Sequence, residues 1–106
     1  MNLDELAVSL HETSVEKGFW DEEVNIHFLL SKLALVHSEI SEILEALRKQ
    51  MSEEKIVEEC VDVFIRLMDW YEGARNAGFV SSSFDEILVK KSSINKNRER
   101  KHGNLA

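Results

Sequence analysis

The fold of this chain is decided by residues 31–49, SKLALVHSEISEILEALRK, and by residues 53–70, EEKIVEECVDVFIRLMDW, which follow after a short break. Apolar side chains recur every three or four residues through both segments, which is the period of an amphipathic α-helix. The two segments therefore predict consecutive long helices, and these helices carry the acidic residues discussed next.

Each segment holds a pair of carboxylates three residues apart, namely Glu39 with Glu42 and Glu59 with Asp62. At about 100° per residue, the two members of such a pair lie roughly 60° apart and project over one patch of the helix. Like charges at this spacing repel each other by a few tenths of a kcal/mol. If the two helices pack antiparallel, the four carboxylates can converge on one cation that prefers oxygen ligands, above all Mg²⁺.

The charged neighbours of these acids leave a simpler interpretation open. Glu45 has Lys49 four residues later, and Asp62 has Arg66 at the same spacing, so both could form ordinary exposed ion pairs. Glu39 and Glu42 have no basic residue three or four positions away. That difference favours a cation at Glu39 and Glu42 and none at Glu45.

Length and composition predict one small all-α domain. The chain has 106 residues, 43% of them hydrophobic, with no proline and only four glycines, which favours long uninterrupted helices. We predict a domain over residues 1–100 and a flexible tail over 101–106. Within the domain we expect a four-helix bundle, with helices near 3–17, 24–49, 53–77 and 84–100.

The third predicted helix is too apolar for one short chain to cover. Its apolar residues span a broad arc that includes Val57, Val61 and Phe64, and Cys60, the only cysteine, lies in the same stripe. We expect Cys60 to pack there as a small hydrophobic residue. A helix that is apolar over so much of its surface predicts a subunit interface, so the bundle should be completed by forming a dimer or a tetramer.

Charge is distributed unevenly along the chain. The net charge is −7, and residues 90–106 carry six basic residues and one acidic residue, which leaves −12 on the first 89 residues. An acidic body repels a polyanion, so nucleic acid is not an expected partner. The basic end can instead supply ligands for phosphate.

Targeting signals are not evident. The first ten residues carry two acids and no basic segment, unlike a secretory signal peptide. The most apolar stretch, residues 26–36, is interrupted by His27 and Lys32 and is too short to span a bilayer. We therefore expect a cytoplasmic protein that does not enter a membrane.

Two residues near the N-terminus can serve structure or ligand binding. His11 falls beside the apolar face of the first helix, where it can sit at the edge of a core or contact a nucleobase. Trp20 lies in the first connection, where it can close the end of a bundle or stack on a ligand ring.

With these residues in view, the chain resembles the MazG-like all-α nucleoside triphosphate pyrophosphohydrolases over roughly residues 5–103. That family carries a Glu-Glu-x-x-Glu helix followed by Glu-x-x-Asp on the next helix. Glu39 and Glu42 match the second and third acids of the first motif, and Glu59 and Asp62 match the second motif after a gap of sixteen residues. The resemblance implies that these four acids form a catalytic site that binds Mg²⁺, with Mn²⁺ as a substitute.

The same resemblance implies substrate-binding residues. His11 and Trp20 are similar to base-pocket residues of the branch that prefers dCTP, and Lys32 stands in the usual lead-in to the acidic helix. Near the C-terminus, the family's Lys, Asn and Arg series is matched by Lys91, Asn95 and Arg98.

One position departs from the family pattern. Ser38 stands where the first motif has its first Glu, and His37 precedes it. One carboxylate that could hold a second metal ion or orient the attacking water is therefore missing, which leaves open how many Mg²⁺ ions bind.

The resemblance implies a nucleoside triphosphate substrate, cleaved between its α- and β-phosphates to the monophosphate and pyrophosphate, in the maintenance of the nucleotide pool. Two alternatives stay open. One is a related hydrolase that acts on a phosphoribosylated nucleotide, and the other is a non-enzymatic acidic helical interaction module.

Overall fold

A computed structural model describes residues 2–98, and every element in that range is helical, which confirms the all-α prediction. The helices are α1 (Leu3–Glu16), α2 (Ile26–Arg48), α3 (Glu53–Asn76) and α4 (Phe84–Lys96). The last helix ends four residues earlier than predicted, and the tail predicted over 101–106 lies outside the described residues. None of the described helices is both long and apolar enough to cross a membrane.

Local sequence explains where these helices begin and end. Asn25 precedes α2 and its side-chain oxygen accepts a hydrogen bond from the Phe28 backbone N–H at 2.9 Å. Ser52 caps α3 in the same way, accepting from the Lys55 N–H at 3.2 Å. Such caps satisfy N–H groups that have no partner inside the helix. After α1 the chain turns at Gly18, whose φ of 86° favours glycine.

Helix α3 lies at the centre of the molecule, with α2 and α1 packed against it. The Trp70 indole N–H donates to the Leu29 carbonyl at 2.9 Å, so the end of α3 meets the start of α2. Farther along the pair, Arg66 contacts Glu39. The two helices therefore run antiparallel, which is the arrangement that the site prediction required.

The buried core of a single chain is small. The buried apolar residues among those described are Ala7, Leu29, Val36, Ala46, Met68 and Ala74, and half of them are alanines. Many larger apolar side chains on all four helices stay exposed, among them Val15 on α1, Leu44 on α2, Val57 and Val61 on α3, and Val89 on α4. Cys60 is also exposed, so it does not pack as a small hydrophobic residue within a single chain. It lies on a face of α3 that no other described helix covers.

Helix α4 is held to α1 by what we call the helix clasp, formed by Asp4, Ser83, Phe84 and Asp85. The Asp85 carboxylate accepts from the backbone N–H groups of Leu3 and Asp4 at 3.1 and 2.9 Å. In return, the Asp4 carboxylate accepts from the Ser83 hydroxyl at 2.6 Å and the Phe84 N–H at 2.9 Å. Each aspartate thus caps the N-terminus of the other helix, where negative charge is favourable.

Candidate metal and nucleotide site

Three of the four predicted acids come together, and we call Glu39, Glu59 and Asp62 the acid cluster. One carboxylate oxygen from each lies within 4.8 Å of the others. The antiparallel packing of α2 against α3 produces this convergence, because Glu39 projects from α2 towards the turn of α3 that carries the other two acids. Glu59 is only 6% exposed, whereas Asp62 is exposed, so the cluster has a buried side and an open side.

The donor set fits a divalent cation with oxygen ligands. Mg²⁺ binds oxygen at roughly 2.1 Å, so two ligands on opposite sides of the ion lie about 4.2 Å apart. The carboxylate oxygens of the acid cluster all lie within 4.8 Å of one another, which is close to this value. Carboxylates are also the protein ligands that Mg²⁺ and Mn²⁺ prefer.

Glu42 is not brought into the acid cluster. It lies one turn beyond Glu39 on α2 and is exposed. Its assignment as a ligand therefore remains a prediction. Ser38 and His37 are exposed as well. Because neither side chain carries a carboxylate, the position that matches the first Glu of the MazG-like motif contributes no ligand of that kind to the acid cluster.

Two basic side chains form ion pairs with two of the three acids of the acid cluster. Arg66 Nε lies 2.9 Å from Glu39 Oε1, across the interface between α3 and α2. Lys55 Nζ lies 2.9 Å from Glu59 Oε1 along α3, and this hydrogen bond raises the pKa of Lys55. The simpler sequence interpretation paired Arg66 with Asp62, but the arginine reaches Glu39 on the neighbouring helix instead.

Beside the acid cluster lies an open cavity of about 360 Å³, which we call the aromatic cavity. Its wall includes Phe19, Trp20 and Trp70, together with the bases Lys17, Lys32 and Arg66 and the acids Asp62 and Asp69. Asp62 belongs to both the cavity wall and the acid cluster. A flat aromatic ring with attached phosphates matches such a surface, because aromatic faces bind the ring and cations bind the phosphates.

Lys32 is placed among aromatic rings. Its ammonium nitrogen lies 5.5, 5.0 and 5.2 Å from the ring centroids of Phe19, Trp20 and Phe28. Such contacts stabilise the cation through the ring faces. Burial lowers the pKa of Lys32, with the nearby Asp69 charge acting in the opposite direction.

His11 and Trp20 are joined by a residue that the sequence analysis did not select. Asp69 on α3 accepts a hydrogen bond from the Trp20 indole N–H at 3.0 Å, and its carboxylate lies 2.8 Å from His11 Nδ1. His11 packs edge-on against Trp20 at a centroid distance of 4.7 Å. The histidine is buried and absent from the cavity wall, so in this chain it supports Trp20 from behind.

Gly73 on α3 provides the space in which the Trp20 indole packs. A Cβ atom at this position would lie 2.0 Å from Cη2 of the indole, which is far too close for two carbon atoms. The absence of a side chain on α3 therefore lets the indole pack against the helix. Nothing in the sequence pattern indicated this role for Gly73.

The predicted phosphate ligands near the C-terminus stay apart from the cavity within one chain. Lys91 and Asn95 are exposed on α4, and Arg98 follows the end of that helix. None of the three belongs to the described wall of the aromatic cavity. Their role as substrate ligands remains a prediction.

Comparisons with known proteins do not supply a relative. No protein-family model, curated protein or solved structure matches this chain. The functional argument therefore depends on the residues and their geometry.

Proposed function

We propose that this chain is a Mg²⁺-dependent nucleoside triphosphate pyrophosphohydrolase, able to use Mn²⁺ instead. It would convert an NTP or dNTP to the monophosphate and pyrophosphate in the cytoplasm, as part of nucleotide pool maintenance. The observation that carries this proposal is the convergence of Glu39, Glu59 and Asp62 within 4.8 Å beside the aromatic cavity. The MazG-like resemblance of the motifs supports the same reaction.

The acid cluster would hold the cation. A bound Mg²⁺ supplies charge neutralisation on the phosphates and lowers the pKa of a coordinated water. In the overall reaction a water oxygen forms a bond to phosphorus, the anhydride bond to the leaving pyrophosphate breaks, and a proton is released. Without the cation, an acidic site of this kind would repel a polyphosphate.

The cavity residues would bind the rest of the substrate. Trp20 offers a ring face for the base, while His11 and Asp69 keep that ring in place through the contacts described above. Lys32 and Arg66 add positive charge to the wall for the phosphates. Lys91, Asn95 and Arg98 are retained as further phosphate ligands on the strength of the resemblance alone.

We propose further that the chain assembles as a homodimer or homotetramer. Val57 and Val61 on α3 are 53% and 47% exposed, and Val89 on α4 is 70% exposed. Exposed apolar side chains on all four helices, next to a core rich in alanine, are typical of an interface that another subunit covers. Light scattering at micromolar concentration is expected to give a mass of at least two chains, and a stable monomer would contradict the assembly.

The same exposed surface favours a second candidate, a non-enzymatic helical interaction module. A screen for pyrophosphate release with Mg²⁺ separates the two, using the common NTPs and dNTPs and a phosphoribosylated nucleotide. We expect release from at least one triphosphate. Release from the phosphoribosylated nucleotide alone would point to the related hydrolase, and no release from any of them would favour the interaction module.

A further inference from the structure

Arg66 stands between the acid cluster and the aromatic cavity, and we propose that it is an exchangeable counterion. In the metal-free protein it neutralises Glu39, and when a divalent cation binds Glu39 it turns into the cavity and binds a phosphate of the nucleotide. This inference rests on the proposed function, because it requires both the cation and the phosphate.

The position of Arg66 is the first observation that supports this exchange. Its Nε is 2.9 Å from Glu39 Oε1, and the residue also belongs to the cavity wall. Lys55, the other base at the acid cluster, is absent from that wall. Of the two described counterions, only Arg66 therefore has both an acid to leave and a cavity to enter.

The weakness of the Arg66–Glu39 ion pair is the second observation that supports the exchange. The arginine side chain is 48% exposed and the glutamate side chain 21% exposed. Ion pairs between side chains in contact with water add little stability, so little free energy opposes their separation. A divalent cation at the same carboxylate would also repel the guanidinium, since both carry positive charge.

The guanidinium group of Arg66 is the third feature that supports the exchange. A guanidinium presents several N–H donors in one plane, which matches the oxygens of a phosphate better than an ammonium does. Lys32, another base on the cavity wall, is already surrounded by three aromatic rings. Arg66 is also one turn from Asp62 on α3, which places it at the border where cation and phosphate would meet.

The test compares Arg66→Met with Lys55→Met, because each variant removes one counterion of the acid cluster. Mn²⁺ binding is measured from the free-ion EPR signal, and binding of AMP, CMP, GMP and UMP by calorimetry with Mn²⁺ present. Both variants are expected to bind Mn²⁺ up to about fivefold more tightly, because a competing positive charge is gone. Only Arg66→Met should also bind the monophosphates about ten- to a hundredfold more weakly.

The outcomes separate this inference from the proposed function. If Arg66→Met and Lys55→Met bind monophosphates equally well, Arg66 is not a phosphate ligand and the inference is overturned, while Mn²⁺ binding and turnover can still stand. If the wild-type protein binds no Mn²⁺, both proposals fail. Arg66→Lys keeps the charge without the planar donors, so it should fall between wild type and Arg66→Met. Circular dichroism verifies that all variants keep the helical fold.

Discussion

Within residues 2–98, carboxylates from different helices come together in the helix clasp and in the acid cluster, and their partners differ. In the helix clasp, Asp4 and Asp85 accept hydrogen bonds from backbone N–H groups and from the Ser83 hydroxyl. In the acid cluster, Glu39 and Glu59 are neutralised by Arg66 and Lys55, which are long side chains with substantial exposure.

The difference indicates which carboxylates serve structure and which are available to a ligand. Backbone N–H groups at a helix start are fixed in place, so a carboxylate bound to them gains stability and has no reason to exchange its partners. A flexible cation on an exposed side chain holds its acid weakly and can be replaced. In this molecule the acid cluster is therefore the candidate metal site, and the helix clasp is structural.

The largest expected effect comes from Asp62→Asn in the acid cluster. This change keeps the shape of the side chain but removes a negative charge that the cation requires, so turnover should fall by at least about a hundredfold. The thermal midpoint should stay the same or rise, because like charges in the cluster repel each other. Steady-state pyrophosphate release and thermal unfolding measure the two results.

Glu45→Gln provides the matched control for Asp62→Asn. Glu45 is an exposed α2 carboxylate that lies 3.9 Å from Arg48 and does not belong to the acid cluster. Its loss should change turnover less than twofold. If Glu45→Gln is as damaging as Asp62→Asn, the residues that bind the cation are assigned incorrectly.

The second expected effect tests the cavity side of the site. Gly73→Ala places a methyl group where the Trp20 indole lies, so the ring must move or α3 must shift. Overpacking of this kind costs about 1–3 kcal/mol of unfolding free energy. We also expect the Michaelis constant for the nucleotide to rise about tenfold, because Trp20 leaves its place beside Asp69.

Ala74→Gly is a control for the effect of glycine and alanine exchange on this part of α3. It lowers helix propensity and removes a buried methyl group but adds no atom beside the Trp20 indole. It should therefore reduce stability and leave the Michaelis constant unchanged. An unchanged Michaelis constant in Gly73→Ala as well would show that the position of Trp20 does not matter for binding.

Much of the fold and the acid cluster could be predicted because both depend on short-range spacing. The three- and four-residue periods of α2 and α3 predict two long consecutive helices, and the antiparallel pairing of these helices brings Glu39 towards Glu59 and Asp62. Asp69 also had a signal, since it lies seven residues after Asp62 and therefore on the same face of α3. Arg66 lies on the same face, four residues after Asp62, although its position predicted an ion pair with Asp62 and not a place beside the cavity.

Other features depend on contacts between distant parts of the chain, which spacing does not reveal. Gly73 looks like an ordinary helix glycine until Trp20, more than fifty residues earlier, is placed against it. The choice of Arg66 between Asp62 on its own helix and Glu39 on the next depends on how α2 and α3 pack. The exposed position of Cys60 depends on which faces one chain can cover alone.

A smaller effect is expected in the helix clasp. Asp85→Ala removes the carboxylate that accepts from the Leu3 and Asp4 N–H groups, and loss of such a cap costs about 1–2 kcal/mol. Urea denaturation should show this loss. Glu86→Ala, a change to the neighbouring and exposed first-turn acid of α4, should cost less. Equal losses would mean that Asp85 acts only through its charge near the start of α4 and not by joining α4 to α1.

The smallest expected effect is the pH dependence that the clasp contributes. The Ser83 hydroxyl, together with the backbone N–H groups of Phe84 and Asp85, holds the pKa of Asp4 below its ordinary value of 3.8. Because the pKa of Asp4 is lower in the folded protein, the unfolded chain binds the proton more readily. The stabilisation from Asp4 is therefore present above pH 3.8 and is lost as the pH falls through the folded pKa. Urea unfolding at a series of pH values from about 5 to about 3 should therefore show a shallower decline in Asp4→Asn and in Ser83→Ala than in the wild-type protein. Glu86→Gln serves as the control and should keep the wild-type slope. Asp4→Asn and Glu86→Gln could instead lose the same pH dependence. The hydrogen-bond donors of the clasp would then not lower the pKa of Asp4 relative to an ordinary exposed carboxylate. The proposed difference between the carboxylates of the clasp and those of the acid cluster would be wrong.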